Sequence, residues 1–267
     1  MLRRVRLPEE AEIYAPEFPP GAEWLNVAFL RMNTLMGRGA VLVEFWDFAR
    51  VNSLRTLPYL KAWHERYAVA GLHVIGVHSP GYSFGRDREL VAQAIERLDV
   101  AYAVLLDPDF EVWRLYGNEG WPGRYLFDRT GRLRFVHYGE GEYLDTELAI
   151  QECVGEDRAP LEPLRPEDVP GVQLRPQTAD IALPRDRGRL DLVRDWSDGQ
   201  DWIEAADAGA AARFSYTAGG AFAVLSGAEV EPGLYEVEGV VEADSPGLRL
   251  HGVQFTPIPP TPSVAAT

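Results

Sequence analysis

Apolar residues fall into two rhythms in the first part of the chain and into a third, looser one after it. VLVEFW (41–46), LHVIGVHS (72–79) and AYAVLLD (101–107) are near-continuous apolar runs, the pattern of strands buried on both faces. Between them, LRTLPYLKAWHERYAV (54–69) and RDRELVAQAIERL (86–98) place apolar residues at helical spacing, with Gly71 as a stop and Asp87 as an N-cap. A short helix is predicted near 110–116. RYLFDRTGRLRFVHYG (124–139) alternates on either side of Asp128-Arg129-Thr130-Gly131 and predicts a hairpin, and 144–153 returns to helical spacing. Alternating strand and helix signals predict an α/β domain over residues 1–155, with its core from about 24 to 155.

The pattern then changes. Residues 156–188 contain Pro160, Pro163, Pro166, Pro170, Pro176 and Pro184 with little apolar periodicity, which predicts an extended linker. Residues 189–257 carry short β-type runs separated by glycine, ARFSYTA, AFAVLSG, LYEVEGVVE and LRLHGVQF, which predict an all-β sandwich. Residues 258–267, rich in proline and small residues, read as a disordered tail. No internal repeat is found.

Composition narrows the range of functions. The chain of 267 residues is 46% hydrophobic and 25% charged, as in globular domains, and its net charge is −15. Residues 1–155 hold 17 basic and 22 acidic residues, and residues 156–267 hold 9 and 19. Such acidity argues against nucleic acid or an anionic membrane surface as partner. No run approaches the roughly 18 apolar residues of a transmembrane helix, and the N-terminus lacks the apolar stretch of a signal peptide, so a cytoplasmic location is expected. Five histidines without regular spacing and one cysteine give no metal motif and no intramolecular disulfide. No cofactor is expected.

The most informative stretch is FWDFARVNSLRTLP (45–58). Phe45-Trp46, three residues, Arg50-Val51-Asn52-Ser53 and then Pro58 match, without a gap, the strand end, Cys-x-x-Cys and helix proline of thioredoxin-like proteins. The version in the TlpA, ResA and DipZ-like (redoxin) branch, with Ile-Asn between its cysteines and Leu-Arg-Thr-Leu-Pro after them, is the most similar. Trp121-Pro122 before GRYLFD (123–128) fits that family's cis-proline, and FVHYGEGEY (135–143) resembles its hairpin end. The resemblance runs from about Trp24 to Tyr143 and implies a central mixed sheet flanked by helices. DWSDGQDWIEA and the later Gly-Leu-Tyr-Glu-Val and Gly-Val-Gln-Phe-Thr runs resemble more faintly the β-sandwich module of DipZ-like proteins, which is similar to carbohydrate-binding modules.

The departure from the family decides the chemistry. Its reaction needs a thiolate at the first cysteine position and a second thiol to resolve the mixed disulfide. Arg50 and Ser53 take those positions, so dithiol exchange is excluded at residues 50–53. In the frame that the resemblance implies, Arg50 lies at a helix N-terminus, where it either binds a small anion or pairs with an acid such as Asp47. The residue before the family's cis-proline pairs with an extended segment of a bound partner, a feature that needs no cysteine. The expected binding set is therefore Trp46, Arg50, Val51, Asn52, Ser53, Trp121 and Pro122, with no catalytic residue.

The leading expectation is a redox-inactive binding or scaffold module for an extended peptide or, second, an anion. The first alternative is an oxidoreductase or redoxin-type antioxidant protein relying on Cys153 or on a partner's thiols. The other is a carbohydrate-binding protein in which Trp196, Trp202, Tyr216 and Tyr235 stack on sugar. Ser53 as a hydrolytic nucleophile would need a histidine within reach, with His78 the best placed.

Overall fold

The computed structural model describes residues 12–174, 177–227 and 229–260. Its contacts divide them into two units, 12–81 with 85–162, and Tyr82–Phe84 with 163–260. No helix among the described residues is long and apolar enough to cross a membrane.

The first unit is a six-stranded mixed sheet with helices. In chain order it contains β1 (Glu23–Leu25), α1 (Met32–Leu35), β2 (Ala40–Trp46), α2 (Val51–Tyr67), β3 (Leu72–His78), α3 (Arg88–Arg97), β4 (Ala103–Leu106), α4 (Glu111–Leu115), β5 (Gly123–Phe127), β6 (Leu133–Tyr138) and α5 (Tyr143–Val154). The strand order is β1-β4-β3-β2-β5-β6. The three apolar runs form the parallel centre, β2 with β3 and β3 with β4, while β5 and β6 add antiparallel. Every residue of β2 is buried, which explains why it reads as a continuous apolar run and not as an alternation.

Local chemistry sets the boundaries. The Asp87 carboxylate accepts from the N–H groups of Glu89 (2.8 Å) and Leu90 (3.4 Å) and starts α3. Asp128 accepts from Thr130 N–H (2.8 Å) and Arg132 N–H (3.2 Å), and Gly131 takes φ +82°, closing the hairpin. Helix α2 begins at Val51, three residues before the apolar periodicity, and carries Pro58 within it. Strand β1 and helix α1 have no signal of their own. β1 is three residues long and depends on pairing with β4.

The one acid on β2, Glu44, lies directly across the ladder from Arg124 of β5. Arg124 Nε donates to Glu44 Oε2 (3.0 Å) and Nη1 to Thr146 Oγ1 (2.8 Å), with both partners of the ion pair excluded from solvent. The guanidinium also lies over the rings of Trp63 (5.2 Å) and Tyr143 (5.6 Å). Burial pushes the Glu44 carboxyl up, and Arg124 opposes that shift.

Residues 156–188 do not form one linker. The chain up to residue 162 belongs to the first unit, where the buried Glu147 carboxylate accepts from Leu161 N–H (2.9 Å), Tyr67 OH (2.6 Å) and Trp63 Nε1 (3.2 Å). Later, β7 (Ile181–Ala182) pairs with the last strand, and Ile181 and Leu183 lie in the core of the second unit. A two-residue strand is too short to show a period, so sequence pattern merges it with its proline-rich flanks. Pro176 and residues 261–267 of the expected tail lie outside the described residues.

The second unit continues with β8 (Asp191–Val193), β9 (Trp196–Asp198), β10 (Ile203–Ala205), β11 (Ala211–Arg213), β12 (Gly220–Ser226), β13 (Gly233–Val237), β14 (Val240–Glu242) and β15 (Arg249–Thr256). One antiparallel sheet runs β13-β12-β15-β10-β9 with β7 added on β15, and another runs β14-β11-β8. Residues of both sheets share one core, including Ala212, Ala223, Val241, Leu250 and Val253. The buried His251 is satisfied at Nε2 by Ser226 Oγ, 2.7 Å away.

The buried ion pair generates a stability prediction. Arg124→Met leaves Glu44 in the core without its partner and is expected to cost about 3–5 kcal/mol in urea unfolding, whereas Glu44→Met together with Arg124→Met recovers most of that loss. A single variant as stable as the parent would show that the pair contributes nothing.

Candidate functional site

The parallel strands β2, β3 and β4 end at one level, Trp46 opposite His78 and His78 opposite Leu106. The next residues, Asp47, Ser79 and Asp107, therefore emerge side by side. Ser79 N–H donates to Trp46 C=O (3.2 Å), and Asp107 N–H to His78 C=O (2.9 Å). Ser79 Oγ donates to Asp107 Oδ2 (2.9 Å), and the Asp107 carboxylate also accepts from Val112 N–H and Trp113 N–H (2.9 Å each). Asp107 thus fixes the start of α4, which holds Trp113.

Asp47 performs the corresponding task on the other side. Its Oδ1 accepts from Ala49 N–H (2.6 Å), and its Oδ2 accepts from Gly81 N–H. The loop 47–50 is thereby tied to the loop after β3. Gly81 is required by close approach, since a Cβ there would stand 2.5 Å from Arg50 Nε and 2.9 Å from Asp47 Oδ2. His78 Nε2 lies 3.9 Å from Asp47 Oδ1, too long for a hydrogen bond, and its ring stacks on Phe48 at 5.5 Å. Burial lowers the His78 pKa against the pull of Asp47, so its imidazole is neutral at pH 7.

Arg50 caps α2 in an extended conformation, and its side chain crosses the groove. The guanidinium lies 4.8 Å from the Trp121 ring centroid, and Nη2 donates to Gly81 C=O (3.5 Å). Trp121 is held by its indole N–H, which donates to Ser79 C=O (2.8 Å), and by packing on Trp113 at 4.5 Å and Phe110 at 6.2 Å. The Trp121–Pro122 peptide bond is cis. Among the described residues, no hydrogen bond within the chain engages the main-chain N–H or C=O of Trp121.

The fold therefore brings Arg50 and Trp121 together on a partly exposed surface, and Asn52 on the first turn of α2 is partly exposed as well. Trp46, Val51, Ser53 and Pro122, expected to contact a partner, are buried instead. Trp46 is buried at the end of β2 with its ring against His78, and Val51 and Ser53 are buried on the first turn of α2. Ser53 Oγ accepts from Asp47 N–H (3.3 Å), and among the described residues no hydrogen bond joins it to a histidine, which leaves it without the base a hydrolytic nucleophile needs. Sequence reasoning missed Gly81, Ser79 and Asp107. The one available signal was their common position just after the apolar runs.

Cys153 lies near the end of α5, half-buried, and burial pushes its thiol up to about 11. In the second unit, Trp196 is core and Tyr216 packs against it, while Trp202 lies under Arg249 at 4.7 Å. The four aromatics do not form one sugar-stacking platform, because two of them fill the space between the sheets.

Known proteins place this geometry. No family model matches the chain. Protein DipZ of Mycobacterium bovis and of Mycobacterium tuberculosis is 32% identical over 173 residues, 64% of this chain and 23% of that protein, so the match spans under a quarter of those relatives' length. The thiol-disulfide oxidoreductase YkuV of Bacillus subtilis is 27% identical over 124 residues, 46% of this chain and 82% of that protein. Among solved structures, a thioredoxin-like superfamily protein superposes with a TM-score of 0.50 at 20% identity, covering 56% of this chain and all of that one.

The Cys153 environment makes a direct prediction. With its pKa near 11, alkylation by iodoacetamide at pH 7.5 should be on the order of a hundredfold slower than for a free thiol, and should climb until about pH 11. A plateau reached below pH 9, read by mass spectrometry, would contradict the burial.

Proposed function

We propose that this chain, whose first unit is a thioredoxin-like domain similar to the thiol-disulfide oxidoreductases, binds extended peptide segments and does not exchange disulfides with them. One observation carries the reading. Arg50 and Ser53 stand at the start of α2, where a dithiol would react, and the Arg50 guanidinium lies against Trp121, whose main chain has no hydrogen-bond partner among the described residues.

An unpaired main-chain N–H and C=O beside a sheet is a template for an added strand, and pairing of this kind does not depend on the partner's sequence. Trp121 and Arg50 supply the side-chain contacts, both of types enriched at binding hot spots. Nothing in this arrangement can transfer electrons. Ser53 cannot form a disulfide, Arg50 cannot attack one, and the single thiol has a pKa near 11 at the far end of another helix. A small anion is disfavoured as the ligand, because the guanidinium is already engaged by Trp121 and Gly81.

The test is a titration with the carboxymethylated insulin B chain, an extended peptide without thiols. Amide shifts are expected at 50–53, 79–81 and 120–123, and Trp121→Ala should weaken binding about tenfold. Insulin reduction by the unmodified protein should be absent and should appear in Arg50→Cys with Ser53→Cys. Catalytic reduction by the unmodified chain, or shifts confined to other surfaces, would overturn the reading.

A further inference from the structure

We propose that the second unit holds a binding site for an organic cation, an aliphatic amine with an apolar stem, at a cleft bordered by β12, β13 and β14. This inference is independent of the peptide groove. It starts from a cavity of about 360 Å³ lined by the buried Leu225 and Leu248, by Val230 and Tyr235, and by the exposed acids Glu229, Glu242 and Asp244. That volume is at the low end for small-molecule sites, the size of a compact ligand.

The charge around the cavity is one-sided. From Phe214 to Leu248 the sequence has six acids, Glu229, Glu231, Glu236, Glu238, Glu242 and Asp244, and no lysine, arginine or histidine. Among the described residues, none of the three carboxylates takes part in an ion pair or side-chain hydrogen bond. The flanking Arg249 is turned elsewhere, to Glu204 (2.7 Å) and over the Trp202 ring. Three like charges around one concavity repel one another, and a bound cation converts that repulsion into attraction.

The type of cation follows from the geometry. Among the described residues, no three carboxylates or imidazoles come together closely enough to hold a metal ion. A calcium ion needs about six to eight oxygens within roughly 2.6 Å, which carboxylates spread around a cavity do not supply. A longer molecule with an ammonium at its end reaches the carboxylates and lays its methylenes on the leucine and valine lining. Tyr235 adds a π face for the ammonium and is 37% exposed; its hydroxyl donates to Glu231 C=O (2.6 Å), which fixes the ring in place. A neutral polyol would leave the carboxylates unneutralised.

The experiment uses the full chain and 1,5-diaminopentane, with 1,5-pentanediol and Mg²⁺ as controls, in about 150 mM salt to suppress diffuse charge attraction. Isothermal titration should show one site for the diamine, with amide shifts centred on 225–248. Glu242→Gln with Asp244→Asn should weaken it about tenfold. Glu65→Gln with Glu96→Gln, which removes the same charge from exposed helix positions in the first unit, should leave it unchanged. Equal weakening in both double variants, the same shifts with pentanediol or Mg²⁺, or no diamine shifts at the cavity would each overturn the proposal.

Discussion

The candidate site depends on three parallel strands ending at the same level. Because β2, β3 and β4 share one register, the residues that follow them, Asp47, Ser79 and Asp107, form a row linked by two main-chain hydrogen bonds and one side-chain bond. Each carboxylate then organises a loop by accepting backbone N–H groups, Asp47 at Ala49 and Gly81 and Asp107 at Val112 and Trp113. Charge-assisted bonds of this kind are stronger than neutral ones and are sheltered here from competing water. The position of Arg50 against Trp121 is a consequence of that scaffold.

The same scaffold gives residues 50 and 53 their structural tasks. Ser53 turns inward and its hydroxyl accepts from Asp47 N–H, which braces the loop. Arg50 turns outward onto an indole. Neither position requires sulfur for its structural task. Among the described residues, the main chain of Trp121 beside Arg50 makes no hydrogen bond within the chain.

The second unit follows a different logic. Its strands are short, its core combines small and aliphatic residues with Trp196, Phe214 and Phe255 and is shared by two antiparallel sheets, and every charged residue between Phe214 and Leu248 is acidic. The large aromatics divide between core and surface, so counting them along the sequence overstates any common face.

Much of the first unit was legible in the sequence because its central strands are buried on both faces and its helices are amphipathic, so solvent exclusion is written directly as composition. That residues 50 and 53 are arginine and serine, with no thiol, was equally plain, since covalent chemistry depends on residue identity alone. Three things were decided only by tertiary structure. The burial of Trp46, Val51, Ser53 and Pro122 depends on which way each side chain points at a strand-to-helix junction, where neither period holds. The place of β7 in the second unit depends on Ile181 and Ala182 pairing with a strand some 70 residues later, a contact that no local pattern encodes. The acidic cleft depends on loops and strands from 225 to 248 closing around one volume: sequence fixes how many charges there are, and only the fold fixes what they surround.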